Sequence, residues 1–391
     1  MRLDSLEVAV AGGGIGGLAS ALALRRQGAQ VTLLEQAPEI AEVGAGLQIS
    51  PNGFAVLAAL GLGAQAEARG VAAQAVRLRR HQDGAEVTCL DLARLAPHRR
   101  YLFLHRADLI DALAEAAREA GVRIRLLQKV TQVEDGARPA LLTAQGARIE
   151  ADLVVAADGL RSCLRPRLNG DAAPRFTGQV AWRALVPGPT GHPSEAWVHM
   201  GPGRHMVTYP LRGGALLNVV AVEERSAWAE EGWHHPDDPE ALRAAFAGFG
   251  GEVPRLLSAV EDVHLWGLFR HPVARCWHGE AVALAGDAAH PTLPFLAQGA
   301  NLALEDAWVL AQALAQEETL AEGLATYQRR RRPRAERVVA AASRNAWKYH
   351  FPPGPLRFAG HSALRLAGRV APARMLSSFD WLYGHDVTAG A

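Results

Sequence analysis

The hydrophobic positions fall into short unbroken runs at the start of the chain and into alternation further on. Val8 to Ala11 is an apolar run with no helical period, which predicts a strand buried on both faces of a parallel sheet. Leu18 to Gln27, rich in Ala, Leu and Arg, predicts a helix that Gly28 stops, and Val31 to Leu34 predicts a second strand. Phe54 to Gly61 reads as a helix with a glycine stop. Val71 to Arg80 and Glu86 to Leu90 alternate around Asp83-Gly84, a hairpin pattern that breaks the strand and helix order. His105 opens an amphipathic helix through Glu119 with Gly121 as its cap, and Val122 to Leu127 and Val130 to Val133 return to strand. Ile149 to Gly159 is another apolar strand. Phe176 to Val222 is mostly short alternating strands broken by Pro and Gly, the pattern of an antiparallel sheet on which a pocket can be built. Glu240 to Phe249 predicts a helix, Ala281 to Ala285 a buried strand, and Gly299 to Leu314 a long helix. Arg329 to Arg332 with Arg334 reads as a solvated basic face.

The first strand is followed at once by Gly12, Gly14 and Gly17, which complete G-x-G-x-x-G. The three glycines permit, in turn, a tight turn, close backbone approach to a pyrophosphate, and close packing of helix on strand. The amides and dipole at the start of the next helix favour phosphate, and Glu35 at the end of the second strand suits a ribose hydroxyl. Strand, glycines, helix, strand and acid together point to a dinucleotide site. Val43 to Asn52 is rich in small residues and turn formers, so its backbone can approach a ligand closely.

Composition narrows the classes. With 391 residues and 49% hydrophobic content the chain can bury sizeable cores in two or three lobes. Forty-one Lys and Arg against 40 Asp and Glu leave +1, so bulk charge gives no reason to expect nucleic acid. Cys89, Cys163 and Cys276 are far apart with no metal-ligand spacing; a reducing compartment fits, and Cys163 and Cys276 read as ordinary core residues. Asp4 and Glu7 interrupt any signal-peptide core, and no run is long enough to span a bilayer, so a soluble, cytoplasmic protein is expected.

Three separated motifs resemble the single-component flavin-dependent aromatic hydroxylases (class A flavoprotein monooxygenases), which include salicylate, 3-hydroxybenzoate and 6-hydroxynicotinate hydroxylases. Beside the N-terminal glycines stands Ala156-Ala-Asp-Gly-Leu-Arg-Ser162, similar to the family motif whose acidic residue, here Asp158, and Arg line the FAD pyrophosphate and the NAD(P)H groove. Leu284-Ala-Gly-Asp-Ala-Ala-His-Pro291 continues as Pro294-Phe-Leu-Ala-Gln-Gly-Ala-Asn301. The resemblance implies that Asp287 binds the ribityl chain and that the amides of Gly299, Ala300 and Asn301 hold the pyrimidine end of the flavin. Arg106 stands where the family has an FAD-contacting arginine, and Val130 joins the same FAD set. One Rossmann fingerprint leaves NAD(P)H without a domain of its own, so it is expected to bind transiently while FAD is held tightly. The W-x-W-x-I-P signature of related halogenases is absent.

Within Gly203 to Pro210, His205 and Tyr209 are four apart and share a face on a strand. The resemblance implies a His and a Tyr over the substrate. A ring attacks the flavin C4a-hydroperoxide readily only once its hydroxyl is deprotonated, and a neutral histidine suits that deprotonation. Gln48 and Gln298 are expected near the ring, with at least one meeting substrate, and Pro294 in the pocket roof. Arg183, Arg204 and Arg212 are candidates by charge for a substrate carboxylate, or simply face solvent.

The expected architecture is α/β: a discontinuous Rossmann-like FAD-binding domain of the GR2 type (residues 1–72, 98–172 and 272–345), a mostly antiparallel substrate domain (73–97 and 173–271), and a C-terminal helical segment (346–391). The aromatic density of that segment, which carries Trp347, Tyr349, His350, Phe351, Phe358, Phe379, Trp381 and Tyr383, suits packing across the lobes or a homodimer. The expected reaction is hydroxylation of a phenolic or hydroxypyridine acid with NAD(P)H and O2. Its rivals are a decarboxylating salicylate-type hydroxylase, a flavin-linked oxidase or reductase without a ring substrate, and a non-catalytic flavin-binding sensor.

Overall fold

The computed structural model describes residues 2–40, 45–136, 138–188, 191–227, 235–345, 349–350, 352 and 354–389. The unbroken apolar runs assemble into a five-stranded parallel sheet. Glu7–Ala11 lies between Leu153–Ala156 and Gln30–Leu34, and Val282–Leu284 and Arg123–Arg125 form the two edges. Leu153–Ala156 and Val282–Leu284 are buried along their whole length, as strands covered on both faces must be. The first helix starts at Ile15 rather than Leu18 and runs to Arg26, so Gly17 lies inside its first turn. A Cβ on Gly17 would come within 1.9 Å of the Gly12 carbonyl oxygen. One on Gly12, where φ is +103°, would come within 2.4 Å of the Ala157 oxygen. Gly17 therefore lets the helix seat on the first strand's turn, and Gly12 lets that turn pass against the backbone that follows Leu153–Ala156.

Two expected strands divide differently. Val130–Glu134 leaves the parallel sheet and pairs with Ala140–Thr143, which pairs in turn with Arg148–Glu150. The single strand expected over 149–159 is accordingly two. The chain turns at Asp152, whose carboxylate accepts from the Glu7 amide at 2.9 Å, before entering Leu153–Ala156.

The alternating segments form an eight-stranded sheet in the order Pro236–Asp237, Val263–Arg270, Arg175–Pro187, Leu216–Glu224, Arg204–Leu211, Glu195–Gly201, Ala75–Arg80, Glu86–Asp91. Its pairs are antiparallel except Glu195–Gly201 with Ala75–Arg80. The period of two separates the faces. On one, Val180, Trp182, Met206 and Val219 pack under Pro239–Ala245 and Val253–Ser258. On the other, the register sets His205 opposite Val222, Val207 opposite Val220 and Tyr209 opposite Asn218, with Arg183 also opposite Val220. That second face looks toward the parallel-sheet lobe.

The arginine cluster is a solvated face only in part: Arg329 and Arg330 are exposed, but Arg331 and Arg334 are not. It lies on Leu320–Asn345, where Arg331 is 1% and Arg334 8% exposed. Arg331 donates to Asp306 Oδ1 at 2.8 Å and to Glu305, and Arg334 donates to Glu305 Oε1 at 3.1 Å. Cys163 and Cys276 are exposed rather than core residues. Cys163 lies in the turn that follows Asp158, and Cys276 in a loop whose amide donates to Asn169. Trp347 and Phe351 lie outside the described residues. Tyr383 and Phe379 stack against one another at 5.4 Å over the lobes, whereas Phe358 is 76% exposed. Among the described residues no helix is long and apolar enough to cross a membrane.

Candidate active site

A cavity of about 370 Å³ lies between the two large sheets, and the expected motifs meet along it. At one end are Gly14, Ile15 and Gly16. A Cβ on Gly14 would meet nothing within 4 Å, and no side chain caps the helix that starts there, so backbone amides face open space suited to a pyrophosphate. Glu35, Asp158 and Val130 do not border the cavity but sit around the outside of this glycine turn. Glu35 accepts from the Gly13 amide at 2.6 Å. In the Asp158 carboxylate, Oδ2 accepts from the Cys163 amide at 2.9 Å and so closes the turn, while Oδ1 is buried without a protein partner. Burial raises its pKa, against the bonds from Ser162 and Cys163. The Cys163 thiol bridges on to the Val130 carbonyl at 3.5 Å.

The middle of the cavity is bordered by Arg106, Asp287, Gly299 and Ala300. Asp287 touches void rather than protein, but that void lies deep in the molecule. Burial therefore raises its pKa while His290, Arg106 and His271 hold it down. A carboxylate exposed only to an interior space, next to uncapped helix amides, fits a polyhydroxylated chain ending in a nucleotide. FAD fits this donor set. The chain reaches the start of Gly299–Gln316 through Ala297, held at φ +51°, a conformation that costs a non-glycine residue roughly 1 kcal/mol.

The side chains of Asn301 and Gln298 are held by the surrounding protein, while the Asn301 amide lies in the uncapped first turn of Gly299–Gln316 and Gln298 borders the cavity. The Asn301 side chain accepts from the Ser50 amide at 3.0 Å and donates to the carbonyls of Gln48 and Ala297 at 3.0 and 2.8 Å. The Gln298 amide donates to Ser50 Oγ at 2.9 Å and accepts from Asn52 at 3.1 Å, so its side chain is spent on the wall. Asn52 continues to Glu305 at 2.6 Å, and Asp306 accepts from the Gly286 amide at 2.9 Å. The buried ions on the two long helices thus hold both loops that line the cavity.

The far end is bordered by His205, Tyr209, Gln48, Pro294 and Arg183, with Tyr349 and Tyr383 from the C-terminal segment. Gln48 accepts at Oε1 from the Tyr101 hydroxyl at 2.7 Å. Of the three arginine candidates, Arg204 is held by Glu223 at 2.9 Å and Arg212 by Asp108 at 2.6 Å. Arg183 alone of the three borders the cavity, its guanidinium 5.1 Å from the Trp266 ring centre. Burial raises the Tyr209 pKa, with Arg183 opposing, so its hydroxyl remains a donor.

His205 is 2% exposed and lies against the rings of Tyr349 and Phe295. Its Nδ1 is 2.6 Å from His350 Nε2, and His350 Nδ1 is 2.8 Å from Glu224 Oε1. Burial, and then His350, push the His205 pKa well below its ordinary value, so the ring is neutral near pH 7. Sequence reasoning missed His350 and Glu224. Nothing in their local sequence distinguishes them, since they meet His205 only through tertiary packing.

Histidines 81, 105, 192, 199, 205, 350, 361 and 385 all have pKa values lowered chiefly by burial, His199 to about 3. The unfolded chain therefore binds more protons than the folded one once pH falls through about 6.5, and stability drops from there downward. At fixed FAD concentration, the melting temperature is expected to fall between pH 7.5 and 5.5. Each fully buried neutral histidine contributes up to about 1.4 kcal/mol per pH unit. A flat profile over that range would contradict the assignment.

A sequence profile of the family described as "FAD binding domain" matches residues 5–342. A 3-amino-4-hydroxybenzoate 2-monooxygenase of Streptomyces platensis is 38% identical over 97% of this chain and 96% of its own length. A 3-hydroxybenzoate 6-hydroxylase of Polaromonas naphthalenivorans is 35% identical over 98% and 96%. Among solved structures, Klebsiella pneumoniae HpxO in complex with FAD and uric acid superposes with a TM-score of 0.84 at 26% identity, covering 96% of this chain and 97% of that one. A salicylate hydroxylase substrate complex gives 0.81 at 26% identity, covering 98% and 96%.

Proposed function

This chain belongs to the FAD-binding-domain family of aromatic hydroxylases, and from that premise we propose that it hydroxylates an aromatic acid bearing a ring hydroxyl or amine, using FAD, NAD(P)H and O2. The observation that carries the reading is one cavity shared by the flavin-motif backbone at Gly14 and Gly299, the neutral imidazole of His205 and the guanidinium of Arg183. FAD, when bound against Gly14, Arg106, Asp287, Gly299 and Ala300, supplies electron transfer from NAD(P)H and activation of O2.

The protein's own groups do the rest. Arg183 takes the carboxylate of the acid, with its charge held over Trp266. His205 accepts the proton of the ring hydroxyl at Nε2, the nitrogen not engaged by His350. Tyr209 donates a hydrogen bond that orients the ring, and Gln48 and Pro294 border the same space. Val198, Val207, Val220, Val222 and Phe295 keep water from the reacting centre. Arg183→Gln is expected to raise KM for a carboxylated phenol about 10- to 100-fold, the loss of one charged hydrogen-bond pair, with a smaller change for an uncarboxylated phenol. Equal effects on both would remove Arg183 from this role.

The test of the function is a screen of hydroxybenzoates, aminohydroxybenzoates and hydroxynicotinates for stimulated NAD(P)H oxidation, with product identification. Carbon dioxide release would mark the decarboxylating rival, and oxidation that no aromatic stimulates would mark a flavin-linked oxidase. A protein that takes up no FAD would be a sensor of another kind. We also divide the chain into an FAD-binding domain of 1–72, 98–172 and 272–345, a substrate domain of 73–97 and 173–271, and a C-terminal segment of 346–391. Three free cysteines and the need for NAD(P)H support a cytoplasmic location. Phe358 and Leu366, exposed on Pro355–Val370, support a homodimer, to be read by sedimentation velocity.

A further inference from the structure

A base enclosed as tightly as His205 has a difficulty. It must take a proton from the substrate, yet burial makes a lasting imidazolium there costly. The groups behind it supply an exit. Glu224 stands at the end of Leu216–Glu224 with its side chain 52% exposed, while the His350 side chain between it and His205 is 2% exposed. Resting on the reading of His205 as the base, we propose that Glu224 and His350 form a relay that fixes the tautomer of His205 and carries the substrate's phenolic proton to solvent.

The hydrogen bonds order themselves from the outside inward. An ionised Glu224 only accepts, so His350 Nδ1 carries the proton of their 2.8 Å bond. His350 Nε2 is then the lone-pair nitrogen and accepts from His205 Nδ1–H across 2.6 Å. His205 Nε2 is left unprotonated on a residue that borders the cavity. When the ring hydroxyl gives up its proton, its O–H bond breaks as His205 Nε2–H forms. The His205 Nδ1 proton passes to His350 Nε2, and the His350 Nδ1 proton passes to Glu224 Oε1 and from there to water. One proton leaves the substrate and one enters solvent, so neither imidazole keeps a net charge. The same logic orients the histidine of a Ser-His-Asp triad, where a wrong tautomer is costly. Burial lowers the His350 pKa, Glu224 raises it, and Arg204, paired with Glu223, lowers it; His205 is the other titratable group against it. His350 and Glu224 are positioning and relay residues, because neither borders the cavity.

The experiment uses the FAD-loaded protein with 3-hydroxybenzoate and 3-amino-4-hydroxybenzoate as probes. Binding is read from the flavin absorbance. Ionisation of the bound phenol is read from its ultraviolet difference spectrum across pH, and proton release from a pH-indicator dye in stopped flow. Glu224→Gln and His350→Gln are expected to bind a probe but to raise the apparent pKa of the bound phenol by about one unit, a tenfold loss of phenolate. Proton release should slow at least about tenfold, and Glu224→Asp, which keeps a carboxylate, should restore most of both. Wild-type phenolate profiles and release rates in both Gln variants, with His205→Ala impaired, would overturn the relay alone. Unchanged phenolate formation in His205→Ala, or failure of both probes to perturb the wild-type flavin, would overturn the reading beneath it.

Discussion

Replacing His205 by alanine is expected to lower hydroxylation about 10²- to 10⁴-fold, the range that positioned general bases supply. Substrate should still bind, because the carboxylate anchor proposed at Arg183 and the apolar strand faces that border the cavity are untouched. Whatever NAD(P)H the variant still oxidises should then return its oxygen as hydrogen peroxide. The decisive quantity is hydroxylated product per NAD(P)H oxidised. Normal product yield in His205→Ala would mean that the ring hydroxyl needs no base from this strand. The pH profile gives a second check: with its pKa pushed well below the ordinary value, His205 should not impose an acid limb near pH 6.5 on the wild-type reaction.

Replacing Arg331 by methionine is expected to cost about 3–5 kcal/mol of stability, the penalty for leaving buried charge uncompensated. Burial opposes ionisation of Glu305 and Asp306. Arg331 with Arg334 at the first, and His290 with Arg331 at the second, outweigh it and hold both carboxyls below their usual range. Without Arg331 the pair loses the arginine that bridges both acids, and Asp306 loses its bond at Oδ1. Because Asp306 also holds the Gly286 amide and Glu305 holds Asn52, the loops beside Asp287 and Gln48 should loosen too. Denaturant unfolding and the FAD dissociation constant check this. A loss below about 1 kcal/mol with unchanged FAD affinity would show that the network does not brace the cavity. A Glu305→Gln partner change should recover part of the loss, as coupled neighbours do.

Much of this was legible in the sequence where the chemistry is written locally. Gly12 to Gly17, Asp287 and Gly299 each depend on a backbone conformation or strand end that a few neighbouring residues specify. His205 and Tyr209 were readable because a strand's period of two puts them on one face. The buried arginines were not, because a run of like charges says nothing about partners, and Glu305 and Asp306 lie on a mostly apolar helix. That juxtaposition, two adjacent acids inside an apolar helix 25 and 26 positions before an arginine, was the available signal. What the sequence did not show is that one oxygen of Asp158 closes its own turn on the Cys163 amide and that the Asn301 side chain ties Ser50 and Gln48, 251 and 253 positions away, to the start of its helix. Among the three arginine candidates, only tertiary packing shows that Arg183 is the one bordering the cavity. The His205–His350 contact spans 145 positions, beyond the reach of any local pattern.

The void bordered by Gly14 at one end has Tyr349 and Tyr383 on its far wall. During synthesis, then, the phosphate-binding turn emerges from the ribosome more than 300 residues ahead of the rings that enclose the opposite side. Cofactor capture in a complete chamber is for that reason a post-translational event. A nascent chain halted before position 345 would present an unsealed cleft, open to bulk solvent where the finished protein keeps its chemistry dry.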